Sequence, residues 1–544
     1  LAAPDRALYR HWTGERWDDV TAADVAARAA RWQAAFRREG YAAGDRIAVA
    51  LRNGIQWVAI DQAALGLGLV VVPLYVDDNA DNIAWCVEHA QARLVVVDGS
   101  RMANALRGLD GRYALPPIVV LRADAGEPAA SAERWLPEAD RAFEVRDVTP
   151  GTLATICFTS GTAGRPKGVM LSHGNIGANV AMCAATAMAR PDDRFLSILP
   201  LSHMFERTGG YYLPLSIGAQ VAFSRGVAHL PDDLRTQAPT VVFAVPRIFE
   251  KFAARIEHAL AGAPRRKRLF DACVALGWRV EQGRARLHDR LVLRALRRLV
   301  AKPILARLGG RLRLAVVGGA ALDPALARTF IGLGLPMLQG YGMTEASPVV
   351  SVNRLADNVP DTVGRPLDGV EVKLGEGGEL LVRGASVMLG YWRNDEATRA
   401  SIDAAGWLHT GDLAEIRDGR IAIRGRAKDI LVLSNGEKLP PQDVEFAILH
   451  DPVFEQVMLV GEGRPYLVLL AVTREDDEKM LAKRANARLG KFPRWMRVRR
   501  VIASREPWSV ENGLLTPTLK LKRPMLVDRY RDRIDAAYAS RDSG

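Results

Sequence analysis

The apolar positions fall into two textures along the chain. From about residue 20 onward, apolar runs of roughly four to eight residues alternate with longer amphipathic stretches. "TAADVAARAARWQAAFRREG" (21–40) has helical spacing, a Thr cap at its start and a glycine at its stop. "RIAVAL", "LVVVPLY" and "RLVVVD" have no helical period and predict buried strands. "ATICFT", "VAFS", "TVVFAV" and "RLAVVGG" continue the series, with helical stretches between them, and "GLGLPMLQG" reads as another buried strand and turn. This alternation predicts an α/β fold, a large N-terminal domain of layered, mostly parallel sheets with helices.

Near residue 370 the texture changes. "GVEVKLGEGGELLVRG" and "LAEIRDGRIAIRGRAKDILVLSNG" have short alternating runs and tight turns. Asp418-Gly419 between "LAEIR" and "RIAIR" is a strong hairpin signal. A small β-barrel-like subdomain is expected here. Beyond it a smaller α+β pattern runs to "ENGLLTPTLKLKRP". The expected division is 1–425 for the large domain and 426–544 for a small C-terminal domain joined by a hinge. A length of 544 residues allows this, at about 150 residues per domain.

Composition adds little until the charge is mapped. Cys86, Cys157, Cys183 and Cys273 are far apart with no Cys-x-x-Cys pair, which argues against a disulfide framework or structural zinc and fits a reducing cytoplasm. The longest apolar run, "LGLGLVVVPLYV", is shorter than the roughly 20 residues of a membrane-spanning helix. No signal peptide is visible, and the chain opens on Leu1 rather than Met.

The net charge of +12 suggests a nucleic-acid binder at first. Residues 265–313, however, hold fifteen Lys or Arg against Asp271, Glu281 and Asp289, and so account for the whole excess. No nucleic-acid partner is expected. In "RLHDRLVLRALRRLVAK", Leu287, Leu291, Leu296 and Leu299 fall near helical spacing, with Arg290, Arg294 and Arg297 read as another face. Two readings fit equally: a helix lying on anionic membrane at the cytoplasmic inner face, or a solvated surface helix with its leucines toward the core.

"TSGTAGRPKG" (159–168) is the strongest chemical signal. It is not a P-loop: Pro166 stands where the second glycine belongs, and no hydroxyl follows Lys167 to hold Mg²⁺. It still suits phosphate. Gly161 and Gly164 let backbone N–H groups point inward, Thr159, Ser160 and Thr162 add hydroxyl donors, and Lys167 adds charge.

"FTSGTAGRPKGVMLSHGN" resembles the phosphate loop of the AMP-forming acyl-CoA synthetases, the adenylate-forming superfamily. Further stretches match in order: "ALGLGLVVVPLY", "LPLSHMFER", "GGAALD", "QGYGMTEASP", "GELLVRGASVMLGYW", "WLHTGDL", "GRAKDILVLSNGEKLPPQDVE" and "NGLLTPTLKLKR". They span most of the chain, and "LTPT" with "KLKR" looks like the long-chain fatty-acid branch.

The resemblance implies roles residue by residue. Thr159, Ser160, Gly161, Thr162, Gly164 and Lys167 would grip the β- and γ-phosphates of ATP. Gly319 and Ala320 of "GGAALD" would line the nucleotide site. In "YGMTE", Tyr341 would stack on adenine beside Gly342, Thr344 would bond the α-phosphate, and Glu345 would help hold Mg²⁺, a hard cation suited to carboxylate. Asp412 would accept from the ribose hydroxyls, with Arg426 as second ribose contact. Lys428 would be the hinge, and Gly436 and Lys438 would meet CoA. His203 would line the acyl pocket. Lys520 would be the catalytic lysine, chosen over Lys522 by alignment of "TLKLKRPML"; Leu519 stands where many relatives have glycine.

The implied reaction is fatty acid and MgATP to acyl-AMP and pyrophosphate, then transfer to the thiol of CoA with release of AMP. The rivals are an acyl-AMP or acyl-carrier-protein ligase sharing the first step, an idle lipid-binding scaffold, and an ADP-forming ATPase.

Overall fold

Helix Ala22–Arg38 forms where the pattern predicts it. The Thr21 hydroxyl accepts from the Asp24 N–H, and the Asp24 carboxylate accepts from the Thr21 N–H at 2.9 Å. This reciprocal cap satisfies two donors that helix geometry would leave orphaned. Gly40, at φ +71°, ends the segment in a left-handed conformation that costs glycine nothing. The helix buries Trp32 and Phe36 in the same hydrophobic cluster that holds Trp57 and Ile60 of helix Ile55–Gly66.

The computed structural model describes residues 3–122, 131–159, 165–509, 512–516 and 521–539. Two large sheets share one hydrophobic cluster that includes those two helices. In the nine-stranded sheet, Met337–Gly342, Leu314–Val317, Val241–Ala244, Arg194–Ser197, Gln220–Phe223 and Ala7–Trp12 lie side by side and parallel. In the seven-stranded sheet, Leu153–Thr159, Val70–Pro73, Arg46–Ala50, Ala92–Gly99 and Ile118–Arg122 are parallel, and Lys167–Ser172 joins antiparallel. Strands buried on both faces explain the continuous Val/Ile/Leu runs.

The small β region is a four-stranded antiparallel sheet of Val370–Leu374, Glu379–Gly384, Leu408–Arg417 and Arg420–Arg426. The hairpin forms at Asp418-Gly419: φ is +51° and +75°, the two positive values a type I′ turn requires, and Arg417 pairs with Arg420. Beyond residue 430 lie a two-stranded and a three-stranded sheet, whose hydrophobic clusters draw only on residues 431–538.

Two expectations are corrected. "GLGLPMLQG" is not all strand and turn: helix Pro324–Leu333 takes its first two residues, Gly334 closes the helix at φ +103°, and the strand starts at Met337. In the basic segment, helices Pro264–Glu281 and Leu287–Leu296 lead through a π-helical turn, Arg297–Ala301, to Lys302–Ala306. Leu293 and Leu296 pack with Phe270, Cys273 and Leu333. Leu287, Leu291 and Leu299 do not face the core: they are 83%, 67% and 71% exposed. Arg290 and Arg294 are not on a separate face either, since residues three, four and seven positions apart share one stripe.

All four cysteines are free. Among the described residues, no helix is long and apolar enough to cross a membrane.

Candidate active site

The Asp418-Gly419 hairpin sets the register from Arg417 to Ala414, and a β-bulge between Leu413 and Ala414 then shifts it by one residue, which places Asp412 opposite Arg426. Arg426 Nε lies 3.1 Å from Asp412 Oδ1. The Tyr341 hydroxyl donates to Asp412 Oδ2 at 2.5 Å. Asp412 is 5% exposed, and its own N–H donates to the Thr410 hydroxyl, which in turn donates to the Leu380 carbonyl at 2.7 Å. Burial, and then the Asp412 charge, push the Tyr341 phenol well above its ordinary pKa. Burial works against the Arg426 charge, but Asp412 and Tyr341 outweigh it and hold the guanidinium more firmly protonated.

Tyr341 stands on strand Met337–Gly342, which leaves the parallel sheet and passes into the 3₁₀ turn Thr344–Ala346. Gly342 is required there, because a Cβ would sit 2.0 Å from the Pro348 carbonyl oxygen. The turn presents Glu345, whose Oε1 accepts from the Tyr391 hydroxyl at 3.0 Å. Lys167 Nζ lies 4.9 Å from the centre of the Tyr391 ring, a cation–π distance. Strand Gly390–Tyr391 pairs with Lys167–Ser172, which fixes that meeting. Burial and Glu345 raise the Tyr391 pKa. Arg426 acts electrostatically on both Tyr391 and Glu345, so the two groups share one charged neighbourhood.

The other predicted residues are placed as follows. Thr159 ends strand Leu153–Thr159, and its hydroxyl is 3.5 Å from the Lys167 carbonyl. Ser160, Gly161, Thr162 and Gly164 lie outside the described residues, as does Lys520. Within the same motif, Arg165 pairs with Asp81 at 3.1 Å and donates to the Tyr113 hydroxyl. Gly319, at φ +77°, and exposed Ala320 follow strand Leu314–Val317. His203 Nδ1 accepts from the Phe205 N–H at 3.2 Å, which caps a short helix. Lys428 sits in the turn Ala427–Asp429. Gly436 has φ +85° with open space around it, and Lys438 is exposed on strand Lys438–Leu439. One contact between the segment after Arg426 and the rest is made by His450, whose Nε2 is 2.7 Å from Asp323 Oδ2.

Sequence reasoning missed two features. Tyr391 stands in a quoted motif, but its bond to Glu345 spans 46 positions and leaves no local mark. The second is a buried polar network. Arg207 pairs with Asp61 and donates to Thr155 at 2.9 Å, and the hydroxyls of Tyr212 and Tyr211 donate to Asp61 at 2.9 and 3.1 Å. The π-helical turn Arg207–Tyr212 carries it, and the Thr208 hydroxyl reaches the Ser347 carbonyl behind Glu345. Beside it, burial lifts the Glu206 carboxyl to about 8, opposed by Ser197 and the backbone of Leu199 and Ile198. The available signal was a charged Glu-Arg pair between "LPLSHMF" and "TGGYYLPL".

A glycine-bearing turn, a cluster of acidic and phenolic side chains and a separate C-terminal core together suit a nucleotide-using enzyme of two parts. The AMP-binding enzyme family matches residues 2–392, and the AMP-binding enzyme C-terminal domain matches 428–542. The chain belongs to the AMP-binding enzyme family. Its relatives include the long-chain-fatty-acid–CoA ligase FadD15 of Mycobacterium bovis, 30% identical over 98% of this chain and 95% of that protein. Long-chain-fatty-acid–CoA ligase 1 of Homo sapiens is 31% identical over 91% of this chain and 78% of that protein. The fold is that of the anthranilate CoA ligase AuaEII in complex with anthranoyl-AMP, with a TM-score of 0.75, 20% identity and coverage of 98% and 96%.

Proposed function

We propose that this chain is a long-chain fatty-acid–CoA ligase, an AMP-forming acid–thiol ligase acting in two half-reactions. In the first, a fatty carboxylate oxygen attacks the α-phosphorus of ATP, the bond to the bridging oxygen breaks, and pyrophosphate leaves acyl-AMP. In the second, the thiol of CoA attacks the acyl carbon, its proton is lost, and AMP departs as a phosphate leaving group. Activation is needed because a carboxylate by itself would have to expel oxide.

The observation that supports this reading best is the joining of Tyr341, Asp412 and Arg426 in one polar cluster that is linked electrostatically to Glu345. Asp412 accepts from Tyr341 and Arg426 and keeps lone pairs for ribose hydroxyls. Tyr341 offers its ring to adenine and Thr344 its hydroxyl to the α-phosphate. Residues 159–167 hold the outer phosphates, with Gly319 and Ala320 along the nucleotide and His203 toward the acyl chain. Glu345 would hold Mg²⁺, which when bound supplies charge to the phosphates. One carboxylate with phosphate oxygens suits this ion, and no cluster of three or more metal-binding side chains occurs among the described residues.

Two anions must meet in the first step, so a cation between them lowers the barrier. We assign that role to Lys520. The chain divides into 1–425 and 426–544, and rotation about Lys428 withdraws Lys520 and brings Gly436 and Lys438 to the CoA path. The turn Ala427–Asp429, set between two hydrophobic cores, supports a hinge there. The setting is the cytoplasm, at the inner face of the membrane where fatty acid partitions.

The test is product analysis across a fatty-acid chain-length series with ATP and CoA. AMP should appear in step with acyl-CoA, most with long chains. Formation of ADP, or AMP release independent of acid, overturns the reading. Lys520→Ala should abolish acid-dependent pyrophosphate release yet largely keep thioester formation from supplied acyl-AMP. Equal loss of both halves removes the assigned role.

A further inference from the structure

Most exposed leucines on a folded surface stand alone and need no explanation. Helix Leu287–Leu296 is different. Its inner side is already satisfied: Leu293 and Leu296 are buried, and Asp289, the helix's one acid, turns inward and accepts from the Arg286 N–H at 3.0 Å. Its outer side carries Leu287, Arg290, Leu291 and Arg294 at i, i+3, i+4 and i+7, one continuous stripe, and exposed Arg298 follows in the π-helical turn Arg297–Ala301. Val292 and Leu299 flank it, 48% and 71% exposed. No acid interrupts the stripe. Packing against the protein explains the inner leucines and leaves the outer ones in water.

We propose that this outer face seats on an anionic phospholipid bilayer, with the leucines entering the acyl boundary and the arginines meeting lipid phosphates. Leucine and arginine on one face suit such an interface, because the long guanidinium side chains reach up to the headgroups while the aliphatic tips go deeper. Charge decides between occupants. Residues 265–313 hold fifteen basic residues against three acidic ones. A second copy would bring the same positive charge to a self-complementary contact and be repelled, whereas a surface of phosphatidylglycerol supplies the opposite charge over its whole area. The purpose of the docking rests on the ligase reading, since a water-insoluble acid is taken from the lipid. The docking itself is measured without any turnover.

Sedimentation of the full chain tests it, using vesicles of phosphatidylcholine alone and of phosphatidylcholine mixed equally with phosphatidylglycerol, in low and high salt. The protein should pellet with the mixed vesicles in low salt, stay largely free with the neutral ones, and be released by salt. Replacing Arg290, Arg294 and Arg298 together with alanine should weaken binding on the order of a hundredfold, from about fivefold per arginine. Leu287→Ser with Leu291→Ser should weaken binding while keeping its salt dependence. All variants should release AMP like the parent when fatty acid is dispersed in neutral detergent, which shows that they fold. Failure of the parent to pellet with anionic vesicles, equal pelleting with neutral ones, or variants that bind like the parent overturns the docking. A parent dimer that the leucine variant dissolves, with vesicle binding unchanged, makes a second copy the occupant and also overturns it. Absence of acid-dependent AMP release in every form would sink the ligase reading and leave the vesicle result standing.

Discussion

Asp412 has two partners on one buried carboxylate: Arg426 takes one oxygen and Tyr341 the other. In the proposed reading, ribose hydroxyls would take the remaining lone pairs. Asp412→Asn keeps the shape, removes the charge and turns an acceptor into a donor facing either Arg426 or the Tyr341 hydroxyl. Each charge-assisted hydrogen bond is worth about 1.5–3 kcal/mol, so the KM for ATP should rise about ten- to a hundredfold in an AMP-release assay. An unchanged KM would take Asp412 out of the nucleotide site. Glu206 poses the opposite problem, a carboxyl whose surroundings disfavour its charge. Its pKa is about 8 in the folded chain, against about 4.3 for free glutamate. Below pH about 4 both states are protonated and the group costs nothing. As pH rises toward 8 the unfolded chain ionises first, so stability falls, and above 8 the cost stays constant. Glu206→Gln removes it. Denaturant unfolding should show a gain on the order of 1–3 kcal/mol at pH about 7 that vanishes near pH about 4. A loss at neutral pH would mean that the charged carboxylate stabilises the fold.

At the scale of elements, the turn after strand Met337–Gly342 aims Thr344 and Glu345, and Gly342 lets it close. A methyl at Gly342 meets the Pro348 carbonyl oxygen, which cannot retreat easily because it accepts from the Met343 N–H at 2.9 Å. Gly342→Ala should cost about 1–3 kcal/mol in unfolding and lower kcat more than it raises the KM for ATP, since the displaced groups are the ones proposed to meet the reacting phosphate. A variant with parental kcat would show that the turn tolerates widening. Elements of this kind were mostly legible in advance. Thr21 with Asp24, Asp418 with Gly419 and the unbroken valine runs each act within a few residues, where pattern and backbone geometry determine one another. Partners across the fold left no such trace: Tyr341 and Asp412 are 71 positions apart, and Asp61 and Arg207 are 146. The family motifs pointed to Asp412 as a ribose ligand without revealing that a tyrosine already holds it. For the outward leucines of 287–299 the sequence left two readings open for a related reason. Helical spacing states that residues share a face, and only packing decides which face is covered.

At the scale of the whole molecule, the proposed rotation needs contacts between its two parts that hold and release. His450 makes one. Its Nδ1 is 2.9 Å from the Phe446 carbonyl and its Nε2 is 2.7 Å from the Asp323 carboxylate. Both neighbours only accept, so both ring nitrogens must donate, and the imidazole is held as the cation. The Asp323 bond raises the His450 pKa first, helped by Phe446, with burial opposing. Burial pushes the Asp323 carboxyl up, but His450 together with the N–H groups of Ala325 and Leu326 outweighs it and holds Asp323 low. A raised histidine pKa gives stabilisation that is complete below the ordinary value of about 6.5 and is lost as pH climbs through the raised one. The contact should therefore loosen on the alkaline side. His450 is nearly half exposed, so the pair is worth less than about 1 kcal/mol and the change is at most about fivefold. Limited trypsin cleavage at Arg426 and Lys428, without substrates, gives a direct reading. Taken relative to His450→Gln at each pH, parental cleavage should be slower near pH about 6 and converge on the variant near pH about 9. A ratio that stays flat across that range would mean that this histidine does not hold the two parts together, and that the hinge is governed elsewhere.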